Sequence, residues 1–227
     1  MRRYDRFGCR NLRSIGGFPL PEGAMAAEDV FFRSDLPLAL TRRDEGFLRE
    51  KDIRAVLDLR DEAEATARPD PLRACPLVVW RNLPLGGLIP QAEPAIPDSY
   101  LAYARNRAVM APVLEALAGE GGVLFHCTAG KDRTGVVAAL LLWLCGAGTE
   151  DIAADYILSG VLLRPVLRDL RAARPDLPAF AGQSKAAYLD TFFTALTGDF
   201  PAPADYLAWL GLPAALADRL QDKLTGG

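Results

Sequence analysis

The stretch VLFHCTAGKDRTGVV, residues 123–137, decides how this chain folds. Its apolar start predicts a short buried strand, its glycines mark a tight turn, and the apolar run after Thr134 predicts a helix. A loop between a strand and a helix N-terminus can bind an anion, because its amides can point inwards and the helix dipole adds positive potential. The spacing from Cys127 to Arg133 lets this loop wrap around a tetrahedral oxyanion.

The residue types in the loop predict nucleophilic chemistry on phosphorus. Cys127 would attack as a thiolate, and the Arg133 guanidinium would clamp two oxygens in a bidentate fork. A helix dipole contributes at most ~2 kcal/mol to an anion. Amide donors and the Thr134 hydroxyl must therefore share the task, since each hydrogen bond to a charged group contributes about 1.5–3 kcal/mol. The predicted phosphate-binding positions are Thr128, Ala129, Gly130, Lys131, Asp132 and Arg133.

The rest of the chain predicts an α/β fold with mostly parallel strands. Short apolar runs alternate with helical patterns up to residue 126, and every later pattern is helical. We expect strands near residues 30–33, 54–59, 77–83 and 123–126, and helices at 41–51, 99–118, 135–145, 150–159, 163–173 and 185–196. Residues 84–98 are predicted to be a Gly/Pro-rich loop, and the whole of 1–227 a single domain.

Composition and charge exclude several classes of function. The net charge of −3 combines 26 basic with 29 acidic residues. The sequence has no basic stripe of the kind that indicates nucleic-acid binding. His126 is the only histidine, which argues against a Cys/His protease and a zinc site. We interpret it as a residue that fixes the loop backbone by hydrogen bonding. No metal or cofactor is predicted, because the loop itself can neutralise the phosphate charge.

Several features predict a reduced, cytoplasmic protein. Cys9, Cys75, Cys127 and Cys145 are widely spaced, with no pairing pattern. The longest apolar run, 136–145, is about half the ~20 residues that cross a bilayer. The N-terminus has no apolar segment typical of a signal peptide, although export without one stays open.

The motif HCTAGKDRTG, residues 126–135, resembles the signature of the cysteine-dependent phosphatases. With its Lys-Asp pair, it is most similar to the atypical bacterial tyrosine/serine phosphatases, some of which also accept phosphoinositides. NLRSIGG at 11–17 resembles the opening pattern of that family, and shorter similarities occur at 32–35, 58–60, 154–156 and 206–211. Ser14 replaces an aspartate of the opening pattern, so no role is assigned to that segment.

The resemblance implies phosphate monoester hydrolysis through a phosphocysteine, on phosphorylated proteins or phosphoinositides. It also implies that Lys131 contacts substrates with more than one phosphate. Helices at about 162–196 are expected to cover the site as a lid, and residues 202–226 to form a C-terminal helical hairpin. Two other functions stay open: a pseudophosphatase that binds phosphorylated partners without turnover, and a sulfurtransferase.

Two residues are candidates for the general acid. A departing alkoxide or phenoxide needs a proton. None of the three tryptophans precedes Pro-Asp, so the Trp-Pro-Asp loop used by many tyrosine phosphatases is absent. Asp132 lies within the loop, whereas Asp58 ends a predicted strand on the same sheet edge as Cys127. We favour Asp132, while Asp58 and Arg60 could equally form a structural ion pair.

Overall fold

A computed structural model describes residues 2–86, 90 and 92–226. Its strands are β1 (Arg13–Ile15), β2 (Phe31–Ser34), β3 (Ile53–Asp58), β4 (Val79–Asn82) and β5 (Gly122–His126). Its helices are α1 (Arg42–Glu50), α2 (Glu62–Ala67), α3 (Ile96–Ala104), α4 (Arg107–Leu117), α5 (Asp132–Leu144), α6 (Thr149–Leu162), α7 (Arg164–Ala173), α8 (Ala186–Asp199), α9 (Pro203–Leu210) and α10 (Ala215–Thr225).

The five strands form one sheet in the order β1-β2-β5-β3-β4. β2, β5, β3 and β4 run parallel, and only β1 is antiparallel to its neighbour. In register, Ser34 of β2 and Asp58 of β3 flank His126 of β5. The carboxyl ends of these strands therefore meet at one edge, which is where ligands bind in open parallel sheets. The predicted α/β class with mostly parallel strands is confirmed.

Alternate residues of the central strands face two separate cores. Phe31, Val123 and Phe125 point to the larger core, which most of the helices build. Phe32 and Leu124 point to a smaller core on the other face, against α1. This alternation follows from the two-residue period of a strand. A sheet buried on both faces positions its carboxyl edge rigidly.

Helix α5 supports the anion loop from behind. Ten of its thirteen residues are buried, and it packs against α3, α6 and α10 as well as the sheet. A helix that is apolar on every side must be enclosed in this way. Gly135 lies near its start, and a Cβ there would come 3.0 Å from the Tyr156 ring. The glycine is thus needed for close packing between α5 and α6.

The prediction of one helix over residues 99–118 was wrong. The structure has α3 and α4, separated at Asn106, whose ψ of 76° is not helical. The C-terminal carbonyl of Ala104 accepts a hydrogen bond of 2.7 Å from the Tyr206 hydroxyl. A side chain from α9 therefore satisfies the end of α3, a contact that the local sequence does not reveal.

The helices after residue 148 pack mainly against α3, α4 and α5 and against one another. In the predicted lid region lie α7, α8 and a connecting segment, and the predicted hairpin region contains α9 and α10. Gly211 ends α9 in the left-handed conformation, with φ of 79°. No helix within the described residues is both long enough and apolar enough to cross a bilayer.

Candidate active site

Cys127 directly follows β5 and is the first residue of the anion loop. It is only 3% exposed, yet it lines a cavity of about 410 Å³. The same cavity is lined by Thr128, Ala129, Lys131, Asp132 and Arg133 of the loop. Acidic, aromatic and aliphatic residues at the start of α2, in α3 and in the segment before α8 also line it. These include Asp61, Glu64, Ile96, Tyr100, Tyr103 and Phe180. The structure thus brings the predicted nucleophile to a cavity of ligand size.

Gly130 gives the loop its sharp turn. Its φ is +65°, in the left-handed region that side chains with a Cβ rarely adopt. A Cβ at this position would also lie 2.3 Å from the carbonyl carbon and oxygen of Ser34. Both the turn and the close approach to β2 therefore require glycine, as the sequence predicted for the turn.

Hydrogen bonds from outside the cavity hold the loop carbonyls. Asn11 Nδ2 donates to the carbonyls of Ala129 at 3.0 Å and Gly130 at 2.9 Å. Arg33 Nη2 also donates to Gly130 at 2.8 Å, and Leu36 N donates to Thr128 O. In a planar trans peptide the N–H points opposite to the C=O. Fixing these carbonyls on the outside therefore turns the next amides of the loop towards the cavity.

A buried ion-pair network supports those two donors. Asp155 of α6 pairs with Arg13 Nε at 2.9 Å and with Arg33 Nη1, and all three side chains are nearly inaccessible. Burial lowers the pKa of Arg13 to about 10, which the Asp155 carboxylate partly offsets. Arg13 Nη1 also contacts the Asn11 side-chain oxygen. Removing one partner of such a network costs about 3–5 kcal/mol, so it holds the loop rigidly.

The network predicts a role for Asn11 in loop geometry. We expect Asn11→Ala to lower kcat/KM by about tenfold or more, because the Ala129 carbonyl loses its side-chain donor and the Gly130 carbonyl keeps only Arg33. Steady-state kinetics on p-nitrophenyl phosphate, with phosphate inhibition measured in parallel, checks this. Asn82→Ala is the control, since Asn82 bridges the carbonyls of Asp58 and Arg60 elsewhere. Equal losses in both variants would contradict the proposed role.

Arg133 is held over the cavity by Glu64 of α2. Its Nη2 donates to Glu64 Oε1 at 2.8 Å, and its Nη1 contacts Oε2. Glu64 Oε1 also accepts a hydrogen bond of 2.6 Å from the Thr128 hydroxyl. Burial disfavours the Arg133 charge, but Glu64 and the Cys127 sulfur together raise the pKa of the guanidinium. Hydrogen bonding to Arg133 lowers the pKa of Glu64 to about 2.

The Glu64 contact predicts a pH dependence of stability. Because the pKa is lowered from 4.5 to about 2, the stabilisation is complete above 4.5 and disappears as pH falls towards 2. We expect Glu64→Gln to lower the free energy of unfolding at neutral pH by about 1 kcal/mol, after allowance for solvent screening. The difference from the wild type should shrink at about pH 3, in urea unfolding. Glu62→Gln, at an exposed position of α2, is the control; a pH-independent difference would contradict the pairing.

Asp132 lies at the cavity wall, with its side chain 43% exposed. Its Oδ1 accepts a hydrogen bond of 2.5 Å from the Tyr100 hydroxyl, which also contacts the Tyr156 hydroxyl at 2.5 Å. Burial and the neighbouring carboxylate raise the pKa of Tyr100 well above 10, so it stays a proton donor. The Lys131 ammonium lies 3.2 Å from the same Oδ1. Both contacts orient the carboxyl.

Lys131 also lines the cavity and is only 4% exposed. Its ammonium donates to the carbonyl of Gln183 at 2.6 Å, in the segment between α7 and α8. Phe180, Ala181 and Gly182 of that segment line the cavity. The region predicted to form a lid thus contributes to the cavity wall, and Lys131 joins it to the loop.

Asp58 does not reach the cavity. Its carboxylate is fully buried and accepts hydrogen bonds from Arg60 Nη2 at 2.6 Å and Nε at 2.9 Å. Asp58 is in register with His126, and paired residues on adjacent strands share one face of a sheet. The strand end was placed correctly, but the structural ion pair is the interpretation that fits, and we retain only Asp132 as a candidate acid.

His126 and Thr134 lie beneath the loop. His126 Nε2 is 3.0 Å from Asp70 Oδ2, and Nδ1 is 3.3 Å from the Cys127 carbonyl oxygen, which fits a role in fixing the backbone. Thr134 is fully buried, and its hydroxyl has no hydrogen-bond partner among the described residues. Its predicted support of the thiolate stays a prediction.

Sequence reasoning missed the acidic and aromatic side of the cavity. Asp61 and Glu64 form a capping box at the start of α2, and the D-x-x-E pattern after a strand was a usable signal for it. Because α2 follows the carboxyl end of β3, the capping box lies at the same sheet edge as the anion loop. Tyr100 and Tyr103 gave no such signal, since helical spacing alone indicates only core packing.

Comparison with known proteins gives a family match over almost the whole chain. Residues 5–226 match the profile described as the tyrosine phosphatase family. The chain is 29% identical over 218 residues to a tyrosine-protein phosphatase of Nostoc commune, covering 86% of this chain and 74% of the relative. A shorter match of 65 residues, 51% identical, is to the triple specificity protein phosphatase PtpB of Mycobacterium tuberculosis, and it covers 27% of this chain and 24% of PtpB.

Among solved structures, P. aeruginosa TpbA gives a TM-score of 0.39 at 18% identity, over 63% of this chain and 78% of TpbA. The family match spans the anion loop, the residues that hold it from outside and all ten helices. The chain therefore belongs to the tyrosine phosphatase family.

Proposed function

We propose that the protein hydrolyses phosphotyrosine through a phosphocysteine intermediate on Cys127, with Asp132 as the general acid. The observation that carries the proposal is the position of the buried Cys127 sulfur in a cavity that Arg133 and the anion loop also line. A guanidinium fork fits two oxygens of a phosphate group. The family match gives the phosphatase class, and the residues supply the steps.

In the first step the Cys127 thiolate attacks phosphorus in line. The P–S bond forms as the bond to the ester oxygen breaks, and Asp132 donates its proton to that oxygen. The loop amides and Arg133 stabilise the charge on the remaining phosphoryl oxygens. In the second step Asp132 accepts a proton from water, which attacks phosphorus. Inorganic phosphate leaves, and the thiolate is restored.

The cavity supports phosphotyrosine as the main substrate. Tyr103, Ile96 and Phe180 line it together with the loop, so an aromatic ring would contact apolar side chains while its phosphate reaches Cys127. Burial raises the pKa of Tyr103 to about 12, so this wall stays uncharged at working pH. We extend the proposal to serine/threonine phosphates and phosphoinositides, because Lys131 of the loop adds a positive charge to the cavity wall.

A substrate panel tests the proposal. Phosphotyrosine peptides, phosphoserine peptides and short-chain phosphoinositides are compared by phosphate release, each beside Cys127→Ser. We expect phosphotyrosine to give the highest kcat/KM and the other two classes to give measurable turnover. Turnover of phosphoserine alone would contradict the phosphotyrosine assignment, and no turnover of phosphoinositides would restrict the enzyme to proteins.

The acid assignment predicts a dependence on the leaving group. We expect Asp132→Asn to lower kcat/KM, which reports formation of the phosphocysteine, about 100-fold on a phosphotyrosine peptide. The loss should be less than about tenfold on p-nitrophenyl phosphate, whose leaving group needs little protonation. Steady-state kinetics on both substrates provides the check. Asp61→Asn is the matched control, because Asp61 also lines the cavity and asparagine preserves its helix cap. The opposite pattern would make Asp61 the acid.

A further inference from the structure

Helix α7 has little packed surface. None of its ten residues is buried, and its main packing partner is α6. Its sequence, RPVLRDLRAA, separates apolar from basic residues around the helix. An amphipathic helix in a globular domain normally buries its apolar side. Here only Leu167 of that side is half-buried, and Val166 and Leu170 remain exposed.

Exposed apolar side chains concentrate at this helix and the end of α6. Seven large hydrophobic residues are exposed among the described residues, and four of them lie here: Ile157, Val161, Val166 and Leu170. Their exposed fractions are 38%, 43%, 43% and 42%. The other three lie in separate parts of the chain. Single exposed hydrophobic residues are ordinary, but a cluster on two consecutive helices indicates an interaction surface.

Arginines accompany the cluster. Arg164, Arg168 and Arg171 belong to α7, which has Asp169 as its one acidic residue. Arg164 has no hydrogen bond or ion pair to a described residue, and Arg168 contacts only the exposed Asp169. Arg171 donates to the carbonyls of Ala179 and Ala181. The helix therefore carries a net positive charge that other parts of the described chain do not neutralise.

The arginines line a groove that adjoins the catalytic cavity. This groove has a volume of about 580 Å³ and is lined by all three of them and by Lys185. Ala181 and Gly182 line both the groove and the catalytic cavity. One short segment thus separates the basic surface from the opening of the active site.

We propose that the surface formed by Ile157, Val161 and α7 docks on an anionic lipid bilayer. The exposed aliphatic side chains would enter the boundary between headgroups and acyl chains, and the arginines would contact lipid phosphates. A bilayer is favoured over a protein partner, because it needs only exposed apolar side chains beside cations on one mostly exposed helix. Docking would bring the cavity opening near lipid headgroups, a consequence that rests on the proposed phosphoinositide activity.

Vesicle co-sedimentation of Cys127→Ser tests the docking without turnover. We expect binding to phosphatidylcholine vesicles with about 30% phosphatidylserine, weakening at high salt, and little binding to phosphatidylcholine alone. Adding Arg164→Gln and Arg168→Gln should weaken binding about 25-fold, near fivefold for each charge. Adding Val166→Ser and Leu170→Ser should weaken it about tenfold.

Matched controls come from exposed positions elsewhere. Val79→Ser with Leu38→Ser repeats the apolar change at residues that are 59% and 61% exposed, and Arg42→Gln with Arg43→Gln repeats the charge change. Neither pair should alter vesicle binding. Equal binding to neutral and anionic vesicles, or equal loss in controls and α7 variants, would overturn the proposal. So would self-association that Val166→Ser and Leu170→Ser abolish while vesicle binding persists.

The two proposals fail in different ways. If the α7 variants are made with Cys127 intact, turnover of p-nitrophenyl phosphate should stay unchanged, because α7 does not line the catalytic cavity. Loss of vesicle binding with full turnover of this soluble substrate supports docking. Vesicle binding with no phosphoinositide turnover would leave the docking surface in place and remove only the lipid substrate.

Discussion

Cys127→Ser is expected to abolish turnover, lowering kcat by about 10,000-fold or more. A serine hydroxyl remains protonated at neutral pH, so it cannot replace a thiolate as the attacking group. The substitution is nearly isosteric in a position that is 3% exposed, and the loop should keep its shape. The measurement is kcat on p-nitrophenyl phosphate, with thermal unfolding and phosphate binding recorded on the same preparation.

Cys145→Ala is the control for this experiment. Cys145 is equally buried but lies at the end of α5, away from the cavity, and burial raises the pKa of its thiol to about 12. The control should retain turnover within about twofold, with a modest loss of stability from the smaller side chain. Turnover that survives in Cys127→Ser, or that disappears in Cys145→Ala with the fold intact, contradicts the nucleophile assignment.

Arg133→Lys is expected to lower kcat/KM about 1,000-fold although it preserves the charge. Lysine presents one compact ammonium, whereas the guanidinium engages two acceptor oxygens at once, as its contacts with Glu64 demonstrate. Bidentate contact is needed most when the phosphoryl group is planar in the transition state. Steady-state kinetics on phosphotyrosine peptide, with phosphate inhibition, separates the loss of catalysis from the loss of binding.

Arg105→Lys provides the matched control, because Arg105 also pairs with a carboxylate, that of Asp199, at an exposed position away from the cavity. Its effect on turnover should be negligible, since exposed pairs contribute about 0–1 kcal/mol to stability and this one touches no substrate. A kcat/KM for Arg133→Lys within about tenfold of the wild type would show that charge alone suffices. The bidentate contact of the Arg133 guanidinium would then not be required for catalysis.

The anion loop could be predicted because its determinants are local. Strand, glycine turn and helix follow one another within residues 123–137, so spacing alone placed Cys127 and Arg133 together. The φ of +65° at Gly130 and the close packing at Gly135 are both consistent with glycine at these positions. Where local preference and tertiary structure coincide, sequence patterns are informative.

The outer support of the loop could not be predicted because its members are distant in sequence. Asn11 contacts carbonyls 118 and 119 residues away, and Arg13 pairs with Asp155 across 142 residues. Such contacts depend on strand order and helix placement. The resemblance drew attention to residues 11–17 and 154–156 but supplied no role for them. Buried ion pairs of this kind leave no periodic signal.

The position of Asp58 illustrates a different limit. Strand topology correctly placed it at the sheet edge beside residue 126. The direction of its side chain depends on register, and a shift of one residue moves a side chain to the other face. Its register partner is His126 rather than Cys127, so its carboxylate faces Arg60 instead of the cavity.

The most direct test of the mechanism is to trap the covalent intermediate. Enzyme mixed with a phosphotyrosine peptide carrying labelled phosphate is quenched in acid within one turnover, digested, and examined by mass spectrometry. We predict label on the peptide that contains Cys127 in the wild type and no label on the corresponding peptide of Cys127→Ser. Turnover with no label on Cys127 at any quench time would contradict the phosphocysteine mechanism.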